Sequence, residues 1–248
     1  MSATDFDVAA FTYAHRGLWG GDIPENSLRA FAAAAREGLG CELDVRVTAD
    51  HQLVVFHDAT LQRMCVRPER VDALPLRTLR AVRLPDGSTI PTLEEALEAM
   101  NGLPVLVELK TDATRGEFDG NHDGIPALTA TLNNTSAPAA VMSFDEDAVN
   151  HLADLDLGRP LGQLIEPSGP FDEGWAVMKA IRADQGPAAF LAPHISDLPD
   201  IAQQFPHLPR VTWTIRDLSQ LDVARAHGAA PIFEGFSPTL AKSRANTI

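Results

Sequence analysis

The chain has 248 residues, 45% of them hydrophobic and 22% charged, with 34 Asp and Glu against 20 Lys and Arg for a formal net charge of -14. This content supports a packed core and excludes disordered or collagen-like classes. The acid excess argues against a nucleic-acid partner or stable attachment to an anionic membrane, because both need a positive field.

Short apolar runs alternate with amphipathic stretches from end to end. The pattern predicts strands over 11–14, 41–47, 105–109, 140–143, 161–165, 189–192, 211–215 and 231–233. Helices are predicted over 28–37, 93–100, 127–132, 146–155, 173–182, 198–205 and 219–227. Thr92 with Glu95 makes a capping box, Ser219 precedes a helical apolar period, and Gly38 and Gly228 stand where helices stop. Eight alternating β and α units in about 250 residues predict a (β/α)8 TIM barrel as one domain over 1–248, with its site at the C-terminal ends of the strands. No stretch reaches the roughly 20 apolar residues of a membrane span, and the opening residues lack a basic start and an apolar run, so a cytoplasmic protein is expected. Cys41 and Cys65 have no CxxC spacing and read as buried free thiols.

The chemistry-bearing residues gather at those strand ends. The first strand runs into His15-Arg16-Gly17, a proton-transfer group beside a bidentate anion donor, with Glu25 and Asn26 just before the first helix. In Cys41-Glu42-Leu43-Asp44-Val45-Arg46-Val47 the period of two puts Glu42, Asp44 and Arg46 on one face and the apolar residues on the other. Two inward carboxylates require a cation between them or a raised pKa. The run ending in Phe56-His57-Asp58 follows too closely for a crossover helix and is expected to return as an antiparallel hairpin. A turn centred on Asp50 and His51 would set His57 opposite Asp44. Glu108 and Lys110 end the third barrel strand and add a third inward acid and a point charge suited to phosphate. Three oxygen ligands suit Mg2+ or Ca2+ better than zinc. Ser143, Phe144, Gln163, Glu166, His194 and Trp213 fall near later strand ends, with packing an equal reading for each. His122 and Asp123 read as solvated loop.

Taken in order, His15-Arg16-Gly17, Pro24-Glu25-Asn26-Ser27, Glu42-Leu43-Asp44-Val45, Val54-Val55-Phe56-His57-Asp58, Pro91-Thr92-Leu93, Glu108-Leu109-Lys110 and Trp213-Thr214 resemble the glycerophosphodiester phosphodiesterase family. The resemblance implies a metal-dependent barrel enzyme that hydrolyses a small glycerophosphodiester to sn-glycerol 3-phosphate and an alcohol. It implies His15 and His57 as the acid and base, Glu42, Asp44 and Glu108 as ligands to Mg2+ or Ca2+, and Arg16, Lys110 and Trp213 as substrate contacts. Glu25 and Asn26 take supporting roles near the metal and the first histidine. Residues 59–90 resemble the family's insertion after the second barrel strand. Phe233-Glu234-Gly235-Phe236 departs from the family pattern, which commonly has Asp followed by Pro there. A lysophospholipase D or sphingomyelinase D-like enzyme that forms a cyclic phosphate shares the two-histidine, acidic-metal arrangement, and a noncatalytic metal- and phosphate-binding barrel is the reading from another class. Head-group preference and oligomeric state are not encoded in these motifs.

Overall fold

The computed structural model describes residues 6–112, 120–170, 172 and 174–243. Its strands are β1 (Tyr13–His15), β2 (Gly40–Val47), β3 (Leu53–Val55), β4 (Val105–Leu109), β5 (Ala139–Ser143), β6 (Leu161–Ile165), β7 (Phe190–Pro193), β8 (Arg210–Ile215) and β9 (Ala229–Phe233). All but β3 run parallel and close into a ring, with β1 pairing with β2 on one side and β9 on the other. This is a (β/α)8 barrel. The helices are α1 (Leu28–Arg36), α2 (Gln62–Cys65), α3 (Leu76–Leu79), α4 (Leu93–Ala99), α5 (Ile125–Asn133), α6 (Glu146–Asp154), α7 (Trp175–Gln185), α8 (Leu198–Gln204), α9 (Leu218–Ala226) and α10 (Pro238–Lys242). Residue 173, where the periodicity begins the fifth predicted helix, lies outside the described residues.

Local chemistry sets the boundaries. The Thr92–Glu95 capping box forms, with Glu95 N–H donating to Thr92 Oγ1 at 3.3 Å and Thr92 N–H donating to Glu95 Oε2 at 3.0 Å. Gly38 and Gly228 follow α1 and α9 with φ of 66° and 63°, the left-handed stop that glycine accommodates. Helix α9 begins earlier than Ser219 because Asp217 is the cap, its carboxylate accepting the Gln220 N–H at 2.9 Å.

The β2–β3 hairpin forms, but in a different register from the expected one. Val45 faces Val55, so the ladder places Phe56 rather than His57 opposite Asp44, and Phe56 N–H donates to Asp44 C=O at 3.0 Å. The cause is a three-residue loop, Ala49-Asp50-His51, whose last residue has φ 54°. Thr48 holds it, donating its hydroxyl to Asp50 Oδ1 and accepting the Gln52 N–H.

Alternation along the strands makes two apolar layers. Leu43, Val45 and Val47 point outward and pack with Phe31, Leu93 and Leu97 from the covering helices. Tyr13, Leu106, Met142, Phe190, Val211 and Ile232 fill the barrel, with Phe6 and Val8 in the same cluster. Full burial of such a side chain stabilises by about 1.5–3 kcal/mol. Gly162 admits the Phe190 ring, since a Cβ there would lie 2.2 Å from Phe190 Cζ. Between β3 and α4 a smaller core of Val54, Phe56, Leu61, Val71, Leu79, Val82, Leu84 and Ile90 stabilises the hairpin and the chain that follows it. Both cysteines are free. Cys41 is buried, but Cys65 is half-buried at the end of this small core rather than inside the main one.

Candidate active site

The strand registers bring the acidic residues together. Glu42 lies beside His15 across the β1–β2 seam and Asp44 lies beside Glu108 across the β2–β4 seam. With a period of two, these side chains share the inner face at the C-terminal ends of the strands. Glu42, Asp44 and Glu108 are each at most 6% exposed. One carboxylate oxygen from each lies within 4.8 Å of the others.

Such a cluster cannot ionise freely. Burial, reinforced by the charges of Asp44 and Glu108, pushes Glu42 well above the ordinary carboxylate range. Burial also raises Glu108, with Asp44 adding to the rise and Lys110 opposing it. Asp44 is buried too, yet Lys110, Arg16, His57 and the Asn26 amide together hold it well below the usual range. Lys110 Nζ lies 3.0 Å from Asp44 Oδ1 and is ion-paired with Glu108. Asn26 donates to Asp44 Oδ2 at 2.8 Å. Arg16 Nε, 3.4 Å from the same oxygen, is buried without a hydrogen-bond partner. Three convergent hard oxygen donors, two of them resisting ionisation, fit a divalent cation.

The predicted site residues fall into one connected set. Arg16 and Asn26 both adopt left-handed backbone, φ 58° and 52°, and Asn26 N–H donates to Arg16 C=O at 2.9 Å, joining the two loops that reach Asp44. Arg16 N–H donates to Glu42 Oε2 at 3.1 Å. Glu25 accepts from Arg16 Nη1 at 2.8 Å and from both terminal nitrogens of Arg63 at 2.6 and 3.0 Å, so it touches arginines and not the first histidine.

Each histidine offers Nδ1 to a carboxylate. His15 Nδ1 lies 2.5 Å from Glu234 Oε2, leaving Nε2 3.9 Å from Glu42 Oε2. His57 Nδ1 lies 2.7 Å from Asp58 Oδ1, and Arg63 holds that carboxylate at 2.7 and 3.0 Å. Burial lowers the His57 imidazole below its ordinary value, with Lys110 and Arg16 adding to the fall while Asp44 and Asp58 oppose it. The backbone of His57 is tied down by Arg46 Nε, which donates to its carbonyl at 2.7 Å. Asp58 was legible as the neighbour of His57. The contact between Glu234 and His15 had no local signal, since it arises only when β9 closes onto β1.

The later strands supply the wall. Trp213 donates its indole N–H to Ala192 C=O at 2.8 Å and meets Phe144 and His194 edge-on, with centroids 5.4 and 5.0 Å away. Lys110 Nζ is 5.8 Å from the Phe144 ring centroid. A cavity of about 320 Å³ opens between Glu108, Lys110, Ser143 and Phe144, and another of about 250 Å³ between Trp19, Glu234 and Phe236. Ser143 and Gln163 are buried, and each donates to a backbone carbonyl, Ser143 Oγ to Leu109 and Gln163 Nε2 to Ser143. Glu166 binds Lys179 at 2.9 Å. His122 pairs with Asp145 at 2.8 Å, away from the acid cluster. A larger groove of about 1040 Å³ runs between α4 and α5 outside the barrel, and none of the acid cluster lines it.

Residues 15–234 match the Glycerophosphoryl diester phosphodiesterase family. The chain belongs to this family. It is 39% identical over 98 residues to a Mycobacterium tuberculosis protein named probable glycerophosphodiester phosphodiesterase 2, covering 39% of this chain and 37% of that one. Identity is 35% over 117 residues with a glycerophosphodiester phosphodiesterase of Bacillus altitudinis, covering 42% and 46%. The chain thus spans less than half the length of either relative. Among solved structures, an Oleispira antarctica phosphodiesterase in complex with the product sn-glycerol-3-phosphate has the same fold, with a TM-score of 0.77 at 24% identity over 93% of this chain and 94% of that one. No helix among the described residues of this family member is long and apolar enough to cross a membrane.

Proposed function

We propose that the chain is a metal-dependent phosphodiesterase that hydrolyses small glycerophosphodiesters to sn-glycerol 3-phosphate and an alcohol. One observation carries this reading: two imidazoles, each held at Nδ1 by a carboxylate, border a buried cluster of three acids at the C-terminal mouth of the barrel. Family membership and the product bound by the Oleispira protein support it.

Glu42, Asp44 and Glu108 would hold Mg2+ or Ca2+, which supplies Lewis-acid polarisation of a phosphoryl oxygen. Arg16 and Lys110 lie against these acids and would share their charge with the bound phosphate. Trp213, braced by Phe144 and His194, would line the substrate's apolar side. In hydrolysis a water gives its hydroxyl to phosphorus, the P–O bond to the alcohol breaks, and the proton ends on the departing oxygen. One of the two imidazoles accepts the water's proton at Nε2, and the other, protonated there, supplies a proton to the alcohol. Glu25 and Asn26 hold Arg16 and Asp44 in place. The same reading has the chain act as one cytoplasmic barrel domain, with 59–90 as its insertion, on a small-molecule substrate without a nucleic-acid or membrane partner.

The test is release of glycerol 3-phosphate from glycerophosphocholine and glycerophosphoethanolamine with Mg2+, with Ca2+ and with EDTA. Metal-dependent release is expected. Cleavage of lysolipid alone would replace this reading with the lysophospholipase D one, and metal-dependent binding without turnover would replace it with the noncatalytic one.

A further inference from the structure

The end of β9, Phe233-Glu234-Gly235-Phe236, is the atypical part of the motif set, and the proposed chemistry assigns it no step. It lies where the barrel closes. Ala14 pairs with Phe233, and this sets Glu234 against His15 across 219 positions of sequence. The two oxygens of Glu234 are divided: Oε2 meets His15 Nδ1 at 2.5 Å, and Oε1 meets Arg216 Nη2 at 2.8 Å. Arg216 follows β8, where its own backbone N–H donates to Gln220 Oε1 at 2.7 Å.

We propose that Glu234 and Arg216 form a positioning pair for His15, in which Glu234 selects the imidazole tautomer and Arg216 holds the carboxylate that does so. The proposal rests on the reading of His15 as a proton-transfer residue. A carboxylate accepts only, so the nitrogen facing it bears the proton, and Nε2 is left facing the acid cluster 3.9 Å from Glu42. Without Glu234, a neutral imidazole would populate both tautomers. With one oxygen on each partner, the carboxylate cannot turn without breaking a charge-assisted contact. The length of glutamate matters here. An aspartate would end about 1.5 Å nearer the backbone and so further from His15 and Arg216.

The second histidine shows the same construction made from sequence neighbours: Asp58 on His57 Nδ1, with Arg63 on Asp58. The two supports differ in exposure to disruption. Arg63 is shared between Asp58 and Glu25, whereas the Arg216 side chain is 57% exposed and pairs with Glu234 alone among the described residues. The His15 support is therefore the one that solvent and salt reach.

The experiment compares the full wild-type chain with Glu234→Gln, Arg216→Gln and Arg216→Lys, reading the His15 tautomer by nitrogen-15 histidine NMR and kcat and KM on glycerophosphocholine. Glu234→Gln is expected to mix the His15 tautomers and lower kcat by about 10- to 100-fold with KM within about twofold. Arg216→Gln is expected to do the same to a smaller degree, with Arg216→Lys recovering most of the loss. Unchanged His15 signals and unchanged kcat in Glu234→Gln would overturn the pair, as would equal losses in both Arg216 variants with the tautomer intact. If Glu234→Gln does not fold, the exposed Arg216 position carries the comparison. A wild-type chain that cleaves no phosphodiester would overturn the proposed function instead, and the tautomer would still decide whether the pair positions His15.

Discussion

Asp44 and Glu108 stand side by side across the β2–β4 seam, and the ammonium of Lys110 lies against both. The three carboxylates outnumber Arg16 and Lys110, and Glu42 is raised above the ordinary range by its burial first and by the charges of Asp44 and Glu108 second. The chain's overall acidity is therefore a poor guide to the site. A divalent cation would reverse the local sign and make the mouth attractive to a phosphodiester anion.

Metal binding should stabilise the protein and release a proton. Burial raises both Glu42 and Glu108, so filling the cluster is expected to favour their ionised forms and displace protons. Titration calorimetry in two buffers of different ionisation enthalpy is expected to show proton release with Mg2+ or Ca2+. At a free ion concentration about 100 times Kd the added stability is about 2.7 kcal/mol, seen as a rise in Tm. Asp44→Asn should remove both signals, and a Tm rise that survives in this variant would place the ion elsewhere.

His57 should be far less replaceable in rate than in stability. Its side chain is one-third exposed, so His57→Ala leaves the core intact while removing one of the two proposed proton-transfer groups. The expected loss is on the order of 10² to 10⁴ in kcat, with little change in Tm. Asp58→Asn should give a smaller loss in the same direction, because it breaks the Nδ1 contact and leaves the imidazole present. A His57→Ala enzyme with full turnover would remove His57 from the chemistry.

The barrel was legible because alternation and caps are local properties: all eight parallel strands lie within two residues of their predicted ends, and the Thr92 capping box reads directly from four residues. The acid cluster was legible for the same reason, since Glu42 with Asp44 and Glu108 with Lys110 obey the strand period. Loop geometry was not. The left-handed His51 lengthens the hairpin turn, shifting the register that the Asp50-His51 turn implied. Contacts made only by ring closure were also hidden: nothing near Glu234 in sequence points to His15, and nothing near Glu25 points to Arg63. Arg16 and Lys110, read as phosphate contacts, lie against the acids themselves, an arrangement that three-dimensional charge balance decides and linear spacing does not.

Gly162→Ala should test how tightly the barrel interior is filled. The added Cβ would fall 2.2 Å from Phe190 Cζ, and Phe190 is itself buried within the barrel. Overpacking of this kind costs about 1–3 kcal/mol. Denaturant unfolding should show that loss with an unchanged m-value. A second substitution, Phe190→Leu, should recover part of it by vacating the space, and a Gly162→Ala protein as stable as the wild type would show that the ring can move aside.

Acid should destabilise the protein through the carboxylates that hold the two histidines. Burial would raise Glu234, but the His15 hydrogen bond and charge, with Arg216, hold it at about 2. Burial would raise Asp58 as well, and Arg63 and His57 hold it at about 2. Both values lie below those of the unfolded chain, so the unfolded state binds protons first as pH falls, and stability drops with it. The contribution is complete above about pH 5 and disappears as pH falls toward 2. Tm measured from pH 6 to pH 2.5 should therefore decline most steeply below pH 4.5, and Asp58→Asn with Glu234→Gln should flatten that decline while lowering Tm at neutral pH. Part of the loss should also follow added salt at pH 6, because Arg216 is exposed and its attraction to Glu234 is screened. An acid limb of equal slope in wild type and double variant would show that other carboxylates carry the pH dependence.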